Sequence, residues 1–279
     1  MIRYQTEAPA LRSLREGRLW LFDVDNTLIR DVEHPDAFPD ALVFVRALLE
    51  GGRRVAALTN VGRLSSRQVH HTLTSAGFSL EPSSVFTAGS AAASYIRSRS
   101  PHARCFLISE GGATEDFIVA GLNVVNNPPI DYVAVGADRG LTFEKLNFAA
   151  RMVAEGAQLI CISGSKSYPG GYLGHEGLFM GEASIVAAIE HSTGRKAITV
   201  GKPMPEIFVE CARSLGHAPQ ECVMVGDNPN SDVAGGRAAG MMTVLVDRGN
   251  DNIVEFDSRG LDRTPDLVVR TLDEVLQYL

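Results

Sequence analysis

Short apolar runs that recur along the chain, each ending on a small polar or acidic residue, constrain this sequence more than any other feature. Leu19-Trp20-Leu21-Phe22 stops at Asp23, Val55-Ala56-Ala57-Leu58 stops at Thr59-Asn60, and Cys222-Val223-Met224-Val225 stops at Gly226-Asp227. Runs of this length, apolar at every position, suit strands buried on both faces. Further strands are expected at residues 105–108, 132–135, 159–162, 198–200, 244–246 and 267–269. Between them lie helical patterns. Residues 39–50 carry Leu42, Val45 and Leu49 at helical spacing and stop at Gly51-Gly52. Ser65-x-x-Gln68 reads as a capping box that opens a helix with Val69, Leu73 and Ala76 on its apolar stripe. Helices are also expected at 142–155 and 205–215, and a short one capped by Thr271-x-x-Glu274. Strands alternating with helices predict an α/β protein with a parallel sheet. Residues 163–181, dense in glycine and without periodicity, read as a long loop.

The length, 279 residues, allows one large domain or two modest ones, with a core that needs no disulfide or metal staple. A net charge of −7 argues against a nucleic-acid partner and against adsorption to an anionic membrane. Cys105, Cys161, Cys211 and Cys222 form no C-x-x-C pair and are expected to be buried thiols in a reducing compartment. The first twenty residues are broken up by arginines and acids rather than forming an apolar core, so no secretory signal is expected there. No run approaches the length of a membrane span. These features lead to the expectation of a cytoplasmic protein.

In open α/β sheets, ligands bind beyond the carboxyl ends of the strands. Asp23-Val24-Asp25-Asn26-Thr27 puts two carboxylates at such an end. One can stay ionised to attack or to hold a cation while the other keeps a proton for a leaving oxygen. An EF-hand is excluded, because Leu28 stands where that loop needs glycine and the run follows a strand. An Asx turn or a purely structural acid pair stays open for this motif alone. Thr59-Asn60, before a helix, suits a phosphate oxygen but also an ordinary cap. Lys202, between Gly201 and Pro203, can reach a phosphate or an aspartate, or be a plain surface lysine. Gly226-Asp227-Asn228-Pro229-Asn230-Ser231-Asp232 offers two more acids, the first placed for a hard cation, or a turn opening a helix.

Taken in order, D-x-D-x-T, Thr59-Asn60, Gly201-Lys202-Pro203 and Gly226-Asp227…Asp232 resemble the haloacid dehalogenase superfamily. Phe86-Thr87-Ala88-Gly89-Ser90, Val133-Ala134-Val135-Gly136-Ala137-Asp138, Glu144-Lys145-Leu146, Tyr168-Pro169, and Gly181-Glu182-Ala183 before Ala187-Ala188-Ile189-Glu190 are similar to its C2-capped subfamily IIA phosphatases. That group includes nucleotide, phosphoglycolate, pyridoxal phosphate and 4-nitrophenyl phosphate phosphatases. The likeness runs from about Leu14 to Arg248.

The resemblance implies a Rossmann-like core from residues 1–98 and 197–279 and an inserted α/β cap at 99–196. It implies Mg²⁺-dependent hydrolysis of a small phosphorylated metabolite, and, because such caps often mediate dimers, a homodimer. Asp23 would take up the phosphoryl group and Asp25 would act as general acid and base. Thr59 and Asn60 would bind phosphate, and Lys202 would offset its charge. Asp23, the Asp25 carbonyl and Asp227 would ligate magnesium, with Asp232 supporting that shell. A phosphotransferase using the same aspartyl-phosphate, and a non-catalytic phosphometabolite sensor, are the alternatives. Three departures stand out. Asn26 replaces a usual glycine, and Val61 a usual asparagine. Ser163-Gly164-Ser165-Lys166 is basic and small where the family's cap carries an acid, which predicts a shift toward more anionic leaving groups. Ser163-x-x-Lys166 also matches a β-lactamase fragment but lacks its partner motifs. His70, His71 and His175 are expected in surface or packing roles, and Arg139 is a candidate cap contact.

Overall fold

The computed structural model describes residues 14–172, 175–249 and 260–279, with the side chains of 169–176 outside that description. Residues 14–16 are helical, and they are followed by β1 (Leu19–Phe22), α1 (Pro39–Glu50), β2 (Arg54–Thr59), α2 (Ser66–Ser75), β3 (Val85–Thr87) and α3 (Ala88–Arg99). It continues through β4 (Arg104–Ile108), α4 (Gly112–Val119), β5 (Asn123–Val124), β6 (Tyr132–Val135), α5 (Phe143–Ala154), β7 (Gln158–Cys161), β8 (Ser167–Tyr172), β9 (His175–Met180) and α6 (Glu182–Thr193). It ends with β10 (Ile198–Thr199), α7 (Pro205–Ser214), β11 (Cys222–Gly226), α8 (Ala234–Ala238), β12 (Met242–Val246), β13 (Leu267–Val269) and α9 (Asp273–Leu276).

Six parallel strands form the first sheet in the order β13-β12-β11-β1-β2-β3. β1 lies between β11 and β2 and is buried at every residue, which explains its unbroken apolar run. Trp20 and Phe22 face one side and pack on Phe44 of α1, with the Trp20 and Phe44 rings edge to face at 5.3 Å. Leu19 and Leu21 face the other side and meet Ile207 and Phe208 of α7. Side chains that alternate across a central strand thus join both helical layers to one sheet.

The second sheet is also parallel, in the order β10-β7-β6-β4-β5. Cys105 and Leu107 pack with Ala92 of α3 and Phe117 of α4. Phe106 and Ile108 turn the other way, toward Met152 and Val153 of α5 and Ile185 of α6. The strand expected just before Lys202 is present as β10, but it pairs with Ile160 and Cys161 at the edge of this second sheet. The expected capping box is formed: Gln68 N donates to Ser65 Oγ (3.1 Å) and Ser65 N donates to Gln68 Oε1 (2.9 Å). All four cysteines are buried free thiols. Among the described residues, no helix is long and apolar enough to cross a membrane.

The expected loop at 163–181 is instead largely an antiparallel hairpin, with β8 paired to β9 from Ser167–Met180 to Tyr172–His175. Tyr168 stacks on Phe179 at 5.8 Å. Leu178 and Met180 are exposed.

Candidate active site

The carboxyl ends of β11, β1 and β2 are neighbours, because Phe22 is in register with both Val225 and Ala57. Asp23 follows β1, Thr59 ends β2 and Asp227 follows β11, so three residues distant in sequence meet at one edge. They line a cleft of about 510 Å³ together with Asp25, Asn60, Ser163, Ser165, Tyr168, Glu182 and Lys202.

Lys202 organises this edge. It is 1 % exposed, and its Nζ lies 2.7 Å from Asp23 Oδ1 and 2.7 Å from Asp232 Oδ1. Burial works against the ammonium, yet the two carboxylates outweigh it and hold the Lys202 pKa above its ordinary value. Asp23 Oδ1 also accepts from Val24 N (2.8 Å). Among the described residues no hydrogen bond is made to Oδ2 of Asp23, which lines the cleft. Asp232 is spent on support. Oδ1 takes Lys202 and Ser231 Oγ (3.2 Å), and Oδ2 accepts from Asn228 N (3.1 Å). A Cβ on Gly226 would lie 2.3 Å from Asp232 Oδ2, so only glycine fits that strand end. Residues 229–233 form a single π-type turn, which brings Asp232 back beneath the strand.

Asn60, expected to bind phosphate, lines the cleft with its side chain engaged by Lys202. Its Nδ2 donates to Lys202 O and its Oδ1 accepts from Lys202 N, both at 2.9 Å. A carboxamide matches the paired donor and acceptor of a peptide unit, so Asn60 fixes the lysine backbone. Thr59 is 1 % exposed and receives Val61 N at its Oγ1 (3.0 Å).

The acids are crowded. Burial, opposed by Lys202 and reinforced by Asp232, puts the Asp23 pKa at about 6. Burial, then the charges of Asp23 and Asp31, raises Asp25 to about 7. Burial, then Asp23 and Asp232, raises Asp227 to about 8. One oxygen each of Asp23, Asp227 and Asp232 lies within 4.8 Å of the others. Oδ1 of Asp25 is buried without a hydrogen-bond partner. Oxygen donors this close, and short of positive charge, fit a hard divalent cation.

Sequence reasoning missed the clamp on the Asp23–Thr27 turn. Asn26 has φ +55°, a left-handed conformation that asparagine tolerates, which explains its presence in place of glycine. Arg248 donates to Asn26 O (3.1 Å) and Thr27 O (3.2 Å), pairs with Asp40 and lies over the Phe38 ring. Asp40 in turn accepts from Leu272 N (2.8 Å). Single charges more than 200 residues apart form no motif, so nothing in the sequence links them.

The basic 163–166 segment does not present its charge to the cleft. Lys166 is exposed, while Ser163 and Ser165 line the cavity. The acid that residues 99–196 contribute to the cleft lining is Glu182, beside the phenol of Tyr168. Arg139 does not itself line the cleft; it forms a two-pronged pair with Glu110 and reaches Glu33, which does, at 3.7 Å. His70 packs against Leu80 O, His71 is exposed on α2 away from the cleft, and the His175 side chain lies outside the described residues.

Two family profiles match the chain: haloacid dehalogenase-like hydrolase over residues 20–123 and HAD-hydrolase-like over 199–275. An acid sugar phosphatase of Staphylococcus aureus is 29 % identical over 251 residues, covering 90 % of this chain and 94 % of that protein. A p-nitrophenyl phosphatase from Archaeoglobus fulgidus superposes with a TM-score of 0.84 at 28 % identity, covering 94 % of this chain and 99 % of its own. A thermostable NPPase double mutant from Geobacillus stearothermophilus gives 0.80 at 30 % identity, covering 93 % and 98 %. The chain belongs to the haloacid dehalogenase superfamily, with the Rossmann-like core that this entails. Its relatives make it a phosphoric monoester hydrolase, a phosphatase acting on phosphate esters.

Proposed function

We propose that the protein hydrolyses a small phosphate monoester in the cytoplasm through an aspartyl-phosphate on Asp23, with Mg²⁺ as cofactor. The observation that carries this is the buried ammonium of Lys202, 2.7 Å from Asp23, which holds one carboxylate oxygen and leaves the other available. Residues 1–98 and 197–279 would form the catalytic core, and 99–196 a C2-type cap that closes over the cleft and excludes water.

An Asp23 oxygen bonds to phosphorus as the bond from phosphorus to the leaving oxygen breaks. Asp25, whose raised pKa of about 7 keeps a proton near neutrality, gives that proton to the leaving oxygen. Asp25 then takes a proton from water as the water oxygen attacks phosphorus. The acyl–phosphate bond breaks, releasing inorganic phosphate and restoring Asp23. Lys202 offsets the repulsion between an anionic nucleophile and an anionic ester, and Thr59 offers its hydroxyl to a phosphoryl oxygen. Asp23, Asp227 and the Asp25 carbonyl would hold Mg²⁺, which supplies further positive charge to the transferring group. Asp232 and Asn60 position Lys202.

A phosphate-release screen tests this. Sugar phosphates, nucleotides, phosphoglycolate, pyridoxal phosphate and 4-nitrophenyl phosphate are assayed with and without Mg²⁺, for the wild type and Asp23→Asn. The expected result is turnover that needs Mg²⁺ and vanishes in a folded Asp23→Asn protein. Activity retained by that variant would remove the nucleophile.

A further inference from the structure

Glu182 opens α6 and lines the same cleft as Asp23, yet the hydrolytic steps leave it unused. The residue is 5 % exposed. It reaches from the second sheet's layer to the loop after β2, where a Cβ on Gly62 would lie 3.0 Å from Glu182 Oε1. Among the described residues, no side chain forms a hydrogen bond or ion pair with this carboxylate, and only its own backbone N–H serves it. Such a group is costly to bury unless something arrives to bond it. The neighbouring wall, Ser163, Ser165 and Tyr168, carries no formal charge. The two arginines at the cleft, Arg30 and Arg63, are already paired with Asp36 and Glu33.

We propose that Glu182 is a specificity residue that accepts hydrogen bonds from the hydroxyl groups of a sugar- or polyol-type leaving group and disfavours leaving groups that carry a carboxylate. This rests on the phosphatase reading above and names the substrate class of that site. A hydroxyl can hydrogen-bond the carboxylate, which no side chain among the described residues serves, without bringing a charge of its own. Burial raises the Glu182 pKa to about 7, so near neutrality the group is divided between an acid that can donate to a hydroxyl and a carboxylate that accepts from one. An anionic leaving group would meet like charge in a dry cleft, contrary to the preference the basic 163–166 segment suggested.

The test compares Glu182→Ala and Glu182→Gln with wild type on a hexose phosphate, 4-nitrophenyl phosphate and phosphoglycolate, all with Mg²⁺. The ratio of kcat/KM for hexose phosphate to that for 4-nitrophenyl phosphate should fall about 10- to 100-fold in Glu182→Ala, mainly through KM, the loss expected for a hydrogen bond to a charged group. Glu182→Gln, matched in shape, should lose less of that ratio and should gain on phosphoglycolate relative to 4-nitrophenyl phosphate. These variants keep the question answerable if one of them fails to fold. Ratios that stay at the wild-type value in both variants would overturn the role of Glu182 and leave the phosphatase reading standing. A wild type with no Mg²⁺-dependent turnover of any of the three esters would overturn both.

Discussion

Replacing Lys202 by methionine should damage stability as well as catalysis. The change removes the cation between two buried carboxylates, each 2.7 Å from Nζ, in a site where Lys202 is 1 % exposed. Breaking a buried ion pair by deleting one partner costs about 3–5 kcal/mol, because the other partner is left charged and dry. Here two acids are stranded. A typical domain has only about 5–15 kcal/mol in hand, so a large fraction would go. Adding Asp232→Asn removes one stranded charge, so the double variant should be more stable than the sum of the single changes by about 2 kcal/mol. Urea unfolding of the four proteins at pH 8, with divalent ions chelated, measures this. The Lys202→Met deficit should shrink at pH 5.5. Asp23 already titrates at about 6 with the lysine present, and its removal raises that value further. The native variant then binds more protons than its unfolded chain, so its stability rises as pH falls. A deficit below about 1 kcal/mol, or strict additivity with Asp232→Asn, would refute the view that Lys202 neutralises this cluster.

Three further outcomes are expected. Gly226→Ala drives a Cβ into Asp232, at 2.3 Å from Oδ2, and should cost about 1–3 kcal/mol in urea unfolding; kcat should fall with it, since Lys202 loses its support. Glu182 has its folded pKa raised from 4.5 to about 7, so its ionisation destabilises the fold progressively as pH rises through that window. Glu182→Gln should therefore gain stability over wild type by up to about 3 kcal/mol between pH 4.5 and 7.5, read from paired thermal melts. Mg²⁺ should raise the melting temperature of the wild type but not of Asp227→Asn. The rise should grow between pH 6 and 8, as ligands must lose their protons to bind.

The parts of the site that the sequence announces are those where a motif and a strand end coincide. Asp23, Thr59 and Asp227 each close a buried apolar run, and parallel pairing of β11, β1 and β2 brings those ends together. Lys202 was legible as a residue but not in its setting, because β10 has two residues and edges the other sheet. The clasp of the Asn60 side chain on the Lys202 backbone was not legible, because a cap, a ligand and a backbone clasp need the same amide and only geometry separates them. The β8–β9 hairpin escaped notice because its glycines, Gly170, Gly171 and Gly177, leave no apolar period to read. Glu182 resembled any acid in a first helical turn. Its significance lies in burial at the cleft with, among the described residues, only its own backbone N–H to serve it, a property of the folded chain alone.

Rapid acid quenching of the wild type with 4-nitrophenyl phosphate and Mg²⁺, followed by peptide mass spectrometry, would locate the transferred group. A phosphoryl increment on the peptide bearing Asp23, lost on treatment with hydroxylamine and absent from Asp23→Asn, is the predicted result. Phosphoryl label on any other side chain during turnover, or single-turnover hydrolysis in which no residue is labelled, would contradict covalent transfer to Asp23.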